Sequence, residues 1–182
     1  INTLFYLGAL QGFILTVLLF RIKTNSISNH LLGILTSLWA IILLVFALQS
    51  HGIHQLYPHL LNTFSQLLFA WFPLLYLSVK YLISNQNRFN PKDLFHFLPM
   101  LISILLFADF YFKSGSEKLF MVRNPGGFYY VANTINEEIL SVQGIVYSIL
   151  ILIALKNYKK RVVDFYAGIS QPFLTWMRTG VI

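Results

Sequence analysis

Four polar side chains stand in stretches that are otherwise apolar: Gln11, Gln66, Asp109 and Gln143. Carboxamides and carboxylates in such settings are costly unless they find hydrogen-bond partners. Together they could line a pocket and hold a ligand, or they could tie neighbouring helices to one another. The sequence leaves both readings open. Asp109 also has a local explanation, because Lys113 follows four residues later in the acid-first order that helices favour. Tyr129 and Tyr130 follow the turn-forming run Asn124-Pro125-Gly126-Gly127 and would present aromatic faces over the mouth of such a pocket. Catalytic machinery is not in sight. The chain has no Ser/His/Asp set, no paired carboxylates, no His-Glu-x-x-His motif and no glycine-rich phosphate loop. His51, His54 and His59 cluster, but no carboxylate or cysteine stands near them at a metal-site spacing. No catalytic residue, cofactor or metal is therefore assigned, and enzymatic activity is not expected.

The elements that must carry these residues follow from composition. Apolar residues make up 57% of the 182-residue chain and charged residues only 10%. A soluble domain has roughly a quarter of its residues charged, enough polar surface to cover its core. This chain has too little, and its apolar residues come in blocks. The blocks cover 3–20, 30–49, 60–83, 94–112 and 139–158, with a sixth opening at 172–182 behind Ser170-Gln171-Pro172. Each complete block has roughly 18–25 residues, enough for a helix to cross a hydrocarbon core of about 30 Å. Helices satisfy their own backbone groups in lipid, and nothing alternates with the period of a β-barrel strand. The expectation is an all-α transmembrane bundle of about five complete spans and the start of a sixth. Ile1 and Ile182 are read as cut ends.

Charge orients the bundle. Arg21 and Lys23 lie between the first two blocks, and Arg88 and Lys92 between the third and fourth, with Lys80 close by. Lys156, Lys159, Lys160 and Arg161 follow the fifth. The connection 51–59 has no Lys or Arg, and 113–138 balances three basic residues against Glu117, Glu137 and Glu138. Basic residues beside spans favour the cytoplasmic side, which places the Ile1 end outside. The net charge of +7 thus reads as topology and not as a nucleic-acid surface. The connection 113–138 is roughly 25 residues long, unusual for a plain linker. Thr134-Ile135-Asn136-Glu137 matches a capping box that would start the fifth helix.

Gly8 and Gly12, continued by Thr16, form a small-residue face that lets helices approach closely. Pro73 and Pro99 each remove a backbone donor, freeing the carbonyls of Phe69 and Phe95 and favouring kinks.

Several segments carry a resemblance. Leu7-Gly8-Ala9-Leu10-Gln11-Gly12 opens the first block, and Asn29-His30-Leu31-Leu32-Gly33 begins the second. Pro73-Leu74-Leu75-Tyr76 lies in the third, Asp93-Leu94-Phe95-His96-Phe97-Leu98-Pro99 enters the fourth, and Trp176-Met177-Arg178 follows the basic cluster. In this order they resemble the membrane-embedded N-terminal region of AraC-type transcription regulators of Bacteroidota. The resemblance implies a module of about seven spans in the bacterial inner membrane, then a cytoplasmic helix-turn-helix domain beyond the end of this chain. It implies a sensory role but no particular ligand; the partners expected are the lipid bilayer, an unidentified signal ligand and a second copy of the chain in a homodimer. DNA would be a partner only through the absent domain. Rival expectations are the sensor region of a histidine kinase or LytTR-type regulator, a small transporter or membrane enzyme, and a plain membrane anchor.

Overall fold

The computed structural model describes residues 2–62, 64–84, 86, 88–124 and 127–179, with the side chains of 54, 60 and 164–179 outside that description. It is all-helical, with no strand among the described residues. Helices α1 (Asn2–Arg21) and α2 (Ser26–Ser50) form an antiparallel hairpin. Asn25 turns the chain between them in the left-handed region, φ 48°, which asparagine tolerates better than most residues. The small-residue face lies in this interface. A Cβ added at Gly8 would stand 3.0 Å from Leu43, and one at Gly12 would stand 2.8 Å from the Cβ of Ala40. Thr16 follows on the same face, its Oγ1 donating to the Gly12 carbonyl at 2.8 Å and lying 3.0 Å from Thr36 Oγ1.

Helix α3 (Ile53–Leu56) and a 3-10 turn (Pro58–Leu60) lead into α4 (Leu68–Ser84), which packs on α2. Leu31 and Leu35 of α2 meet Ala70, Leu74, Leu77 and Tyr81 of α4 in the main core. Ser28 Oγ donates to the Ser78 carbonyl at 2.7 Å, so the start of α2 lies beside the end of α4. A 3-10 helix (Pro91–Phe97), α5 (Leu98–Leu106) and α6 (Ala108–Phe112) return along the bundle. Then come α7 (Gly115–Arg123) and the long α8 (Phe128–Thr179).

The outside of this bundle is apolar. Leu4, Leu7, Leu10, Ile14 and Leu18 of α1 and Val142, Ile145, Ile149 and Leu152 of α8 are exposed. Water would penalise such faces, whereas lipid tails would not. Three helices are long and apolar enough to cross a membrane: Asn2–Arg21, Ser26–Ser50 and the Phe128–Val163 part of α8. The count of five spans is not established. Helix α4 has 17 residues, and the fourth expected block is not one helix.

Local chemistry explains the departures. Pro91, just before the fourth block, and Pro99 within it each sit in the first turn of an element, where a missing N–H costs nothing. Pro99 therefore starts α5 instead of kinking a longer helix, and the Phe95 carbonyl accepts from Leu98 N. The connection 113–138 is mostly helical. Its capping box is Ser114–Glu117 at the start of α7, with both reciprocal bonds made. The expected box at Thr134 is absent because α8 already begins at Phe128, and Thr134 Oγ1 bonds the Tyr130 carbonyl within the helix. No break separates a sixth element, since the backbone stays helical through Ser170-Gln171-Pro172 to Thr179. A proline deletes one hydrogen bond of a ladder whose other bonds can hold. Thr63 of the third block, Pro125 and Gly126 of the expected turn, and 180–182 of the sixth block lie outside the described residues.

Candidate functional site

Helix α8 runs beside α4 in the same direction, and their contact begins at close range. A Cβ on Gly144 would come within 2.7 Å of the Phe72 ring. One residue earlier, Gln143 donates from Nε2 to the Phe69 carbonyl at 3.0 Å. That carbonyl lies four residues before Pro73 and is the one the proline leaves without a helical donor. A side chain of α8 thus completes the hydrogen bonding of α4. Gln66 lies one turn before Phe69 and is 1% exposed. Both its side-chain polar atoms, and Gln143 Oε1, are buried with no partner among the described residues. Each such atom costs about 1–3 kcal/mol unless something binds it.

The other expected pocket residues are elsewhere. Gln11 is exposed on α1. Asp109 is exposed on α6 and pairs with Lys113 at 3.3 Å, as the local reading allowed. Tyr129 is no lid. Its ring stacks on Phe110 with centroids 4.5 Å apart, in a cluster with Phe107 and Ala132. Tyr130 points away from that cluster and is exposed. The structure brings Gln143 to the α4–α8 seam, buries Gln66 in the turn that leads into α4, and leaves Gln11, Asp109 and Tyr130 exposed.

Two polar centres escaped the sequence reading. The first stands at the end that carries the basic residues. Asp93, 5% exposed, accepts from Lys80 Nζ and from the Tyr81 hydroxyl, each at 2.7 Å. The Tyr81 hydroxyl in turn accepts from Asn90 N–H at 2.7 Å. Burial pushes the Asp93 carboxyl up, but the bonds from Lys80 and Tyr81 outweigh it and hold the group below the usual carboxylate range. One turn on, His96 Nδ1 lies 2.8 Å from the Tyr147 hydroxyl of α8. The signal was present in Asp93-Leu94-Phe95-His96, a spacing that puts both polar side chains on one face of a 3-10 turn.

The second centre is at the opposite end. Lys118 of α7 is 2% exposed and its Nζ donates to the Tyr111 carbonyl at 3.0 Å. His59 Nδ1 also lies 3.0 Å from it, and the Phe110 ring centroid 5.5 Å away. Read as one charge among several in a loop, Lys118 could not be told from its neighbours.

No family model, curated protein or solved structure matches this chain.

The polar centres themselves indicate what the arrangement can do. No group of three His, Cys, Asp or Glu side chains converges among the described residues. The first centre reaches α8 through His96 and Tyr147, and further contacts between α8 and its neighbours are spaced along its length. From one end to the other these contacts are Tyr129 stacked on Phe110, Asn136 Nδ2 donating to Ser103 Oγ at 2.8 Å, Gln143 donating to the Phe69 carbonyl and Tyr147 beside His96. Chemistry of this kind holds one helix in register against several others.

Proposed function

We propose that the chain is the membrane-embedded sensory module of a bacterial transcription regulator, passing a signal along α8 to a helix-turn-helix domain that follows it. The observation that carries this reading is the continuity of α8. One unbroken helix joins the aromatic cluster at Tyr129 to the basic residues Lys156–Arg161 and goes on to Thr179. At about 1.5 Å per residue its 52 residues extend roughly 78 Å, more than twice a hydrocarbon core. A helix of that length anchored at several levels couples events at one membrane face to the other. In this reading the basic residues mark the cytoplasmic side and the Ile1 end is outside. The chain crosses five times, with α4 and the 94–112 block completing the bundle. The segments that resemble AraC-type membrane regions support a sensory membrane module more than any one output domain.

The test is a reporter gene regulated by the full-length protein, with protein abundance measured in parallel. One alanine inserted between Leu150 and Ile153 turns the distal part of α8 by about 100°, whereas seven residues return it to nearly the original face. The single insertion should change regulation at normal abundance, and the seven-residue insertion should restore most of it. Unchanged output with the single insertion would show that α8 relays nothing.

A further inference from the structure

Gln11 stands where its carboxamide has nothing to bond. Helix α1 runs from Asn2 to Arg21, so Gln11 lies about ten residues, or roughly 15 Å, from either end. It is exposed, and its side chain has no hydrogen-bond partner among the described residues. In a bilayer this position is the middle of the hydrocarbon core, too deep for so short a side chain to reach water. A polar group left unbonded there is costly, and glutamines in membrane helices find partners on other helices. The rest of the bundle supplies none. Gly8, Gly12 and Thr16 form the face packed on α2, and Gln11, one residue before Gly12, points about 100° away from it. The residues around Gln11 also repeat. Leu4, Leu7, Gln11, Ile14 and Leu18 follow one another at spacings of three, four, three and four, the seam of a left-handed helix pair. All five are exposed. The stripe is centred roughly 120° round α1 from the glycine face. The long helices pack in the order α1, α2, α4, α8, so the stripe belongs to the helix at one end of that order.

We infer that α1 pairs with α1 of a second copy of this chain along that stripe, the two Gln11 carboxamides bonding each other. Depth and direction select the partner. Copies inserted with one topology lie parallel, so a two-fold axis along the membrane normal sets Gln11 opposite Gln11 at the same depth. A carboxamide carries both donors and an acceptor, so each of the two can donate to the other. Lipid tails offer neither group. Leu4 and Leu7 on one side of the pair and Ile14 and Leu18 on the other supply knobs that interdigitate with their own copies. The glutamine fixes the register, as a single polar seam residue does in a soluble coiled coil. The pairing rests on α1 crossing the membrane and not on any relay through α8, and α8, at the far end of the packing order, stays outside the interface.

The test uses the purified full-length protein in vesicles of phosphatidylethanolamine and phosphatidylglycerol, where no other protein competes. This chain has no cysteine, and any beyond it are changed to serine. Leu7→Cys, Ile14→Cys and Leu18→Cys each place one thiol on the stripe. Phe13→Cys and Val17→Cys place it on the remaining face of α1, which is also exposed. Under copper–phenanthroline oxidation the stripe thiols should join copies as disulfides several-fold faster than the thiols of the other face. In the Ile14→Cys background, Gln11→Leu should raise the protein-to-lipid ratio for half-maximal pairing by roughly three- to twentyfold. Gln11→Asn should recover part of that loss. Gln11 bonds nothing in its own bundle, so the thermal midpoint of Gln11→Leu in detergent should match wild type. Equal disulfide rates on both faces would mean random collision in the bilayer and would overturn the pairing. Stripe-specific disulfides that Gln11→Leu leaves undiminished would overturn the carboxamide bond that selects the partner. A lowered midpoint in Gln11→Leu would assign the glutamine to its own bundle and count against the inference equally. These results leave the α8 insertion test standing by itself.

Discussion

Asp93 contributes through its ionised form. Its folded pKa lies below the ordinary value of roughly 4, because the bonds from Lys80 and Tyr81 outweigh burial. The stabilisation is therefore complete above that ordinary value and lost as pH falls through the lower folded one. Asp93→Asn should lower stability at neutral pH by about 1–3 kcal/mol, because Lys80 and Tyr81 lose their acceptor. It should also flatten the acid limb of a plot of thermal midpoint against pH in detergent. An acid limb as steep as wild type would assign the transition to another carboxylate. Gln143 invites a sharper test. Gln143→Leu strips the Phe69 carbonyl of its donor and should cost about 1–3 kcal/mol. In a Pro73→Ala background residue 73 regains an N–H that can reach the same carbonyl, so the glutamine should matter less. A double-mutant cycle on detergent stability measures the coupling, and purely additive losses would refute the link. Half of this contact was legible in the sequence. Pro73 had to leave the Phe69 carbonyl open, because its ring has no N–H. Nothing along the chain, however, says which residue 74 positions later will fill the gap. Gln11 and Asp109 show the converse. A polar residue in an apolar block is visible, but its facing depends on rotation about the helix, which tertiary contacts settle.

At the scale of elements, close approach is the recurring device, used at Gly12 against Ala40 and at Gly144 against Phe72. The first was readable from the spacing of Gly8, Gly12 and Thr16. The second was not, because a single glycine has no partner in its own helix to mark a face. Gly12→Leu should destabilise the α1–α2 hairpin by about 1–3 kcal/mol, since the new atoms meet the Ala40 Cβ and the Thr36 carbonyl. Thermal unfolding in detergent reads this, and an unchanged midpoint would mean that the hairpin can open without loss. Helix ends were the least legible feature. The polar run after Lys113 looks like a loop by composition, yet Ser114 and Glu117 close a capping box and start α7. Likewise the apolar run 94–112 reads as one span, although the turn around Phe107 divides α5 from α6.

For the molecule as a whole, composition carried the class. Too few charges and exposed apolar faces on α1 and α8 agree on a lipid surrounding. Orientation rests on the basic residues and can be checked directly. Single cysteines at Ser26 and Asn157 should resist a membrane-impermeant thiol reagent in intact cells, whereas those at Gly52 and Gly115 should react. The chain has no native cysteine to confuse the result. The reverse pattern would invert the bundle.

The length of α8 has a mechanical consequence. Tyr147, beside His96, is the contact described furthest along it and lies well short of its far end, so the part beyond is a lever arm based in the bundle. From Tyr147 to Thr179 is about 32 residues, or roughly 48 Å at the rise of an α-helix. A tilt of about 10° at that base would swing the far end by roughly 8 Å, while atoms beside the base move by a fraction of an ångström. Displacements too small to disturb the packing of the bundle would reach the far end as a stroke several ångströms long.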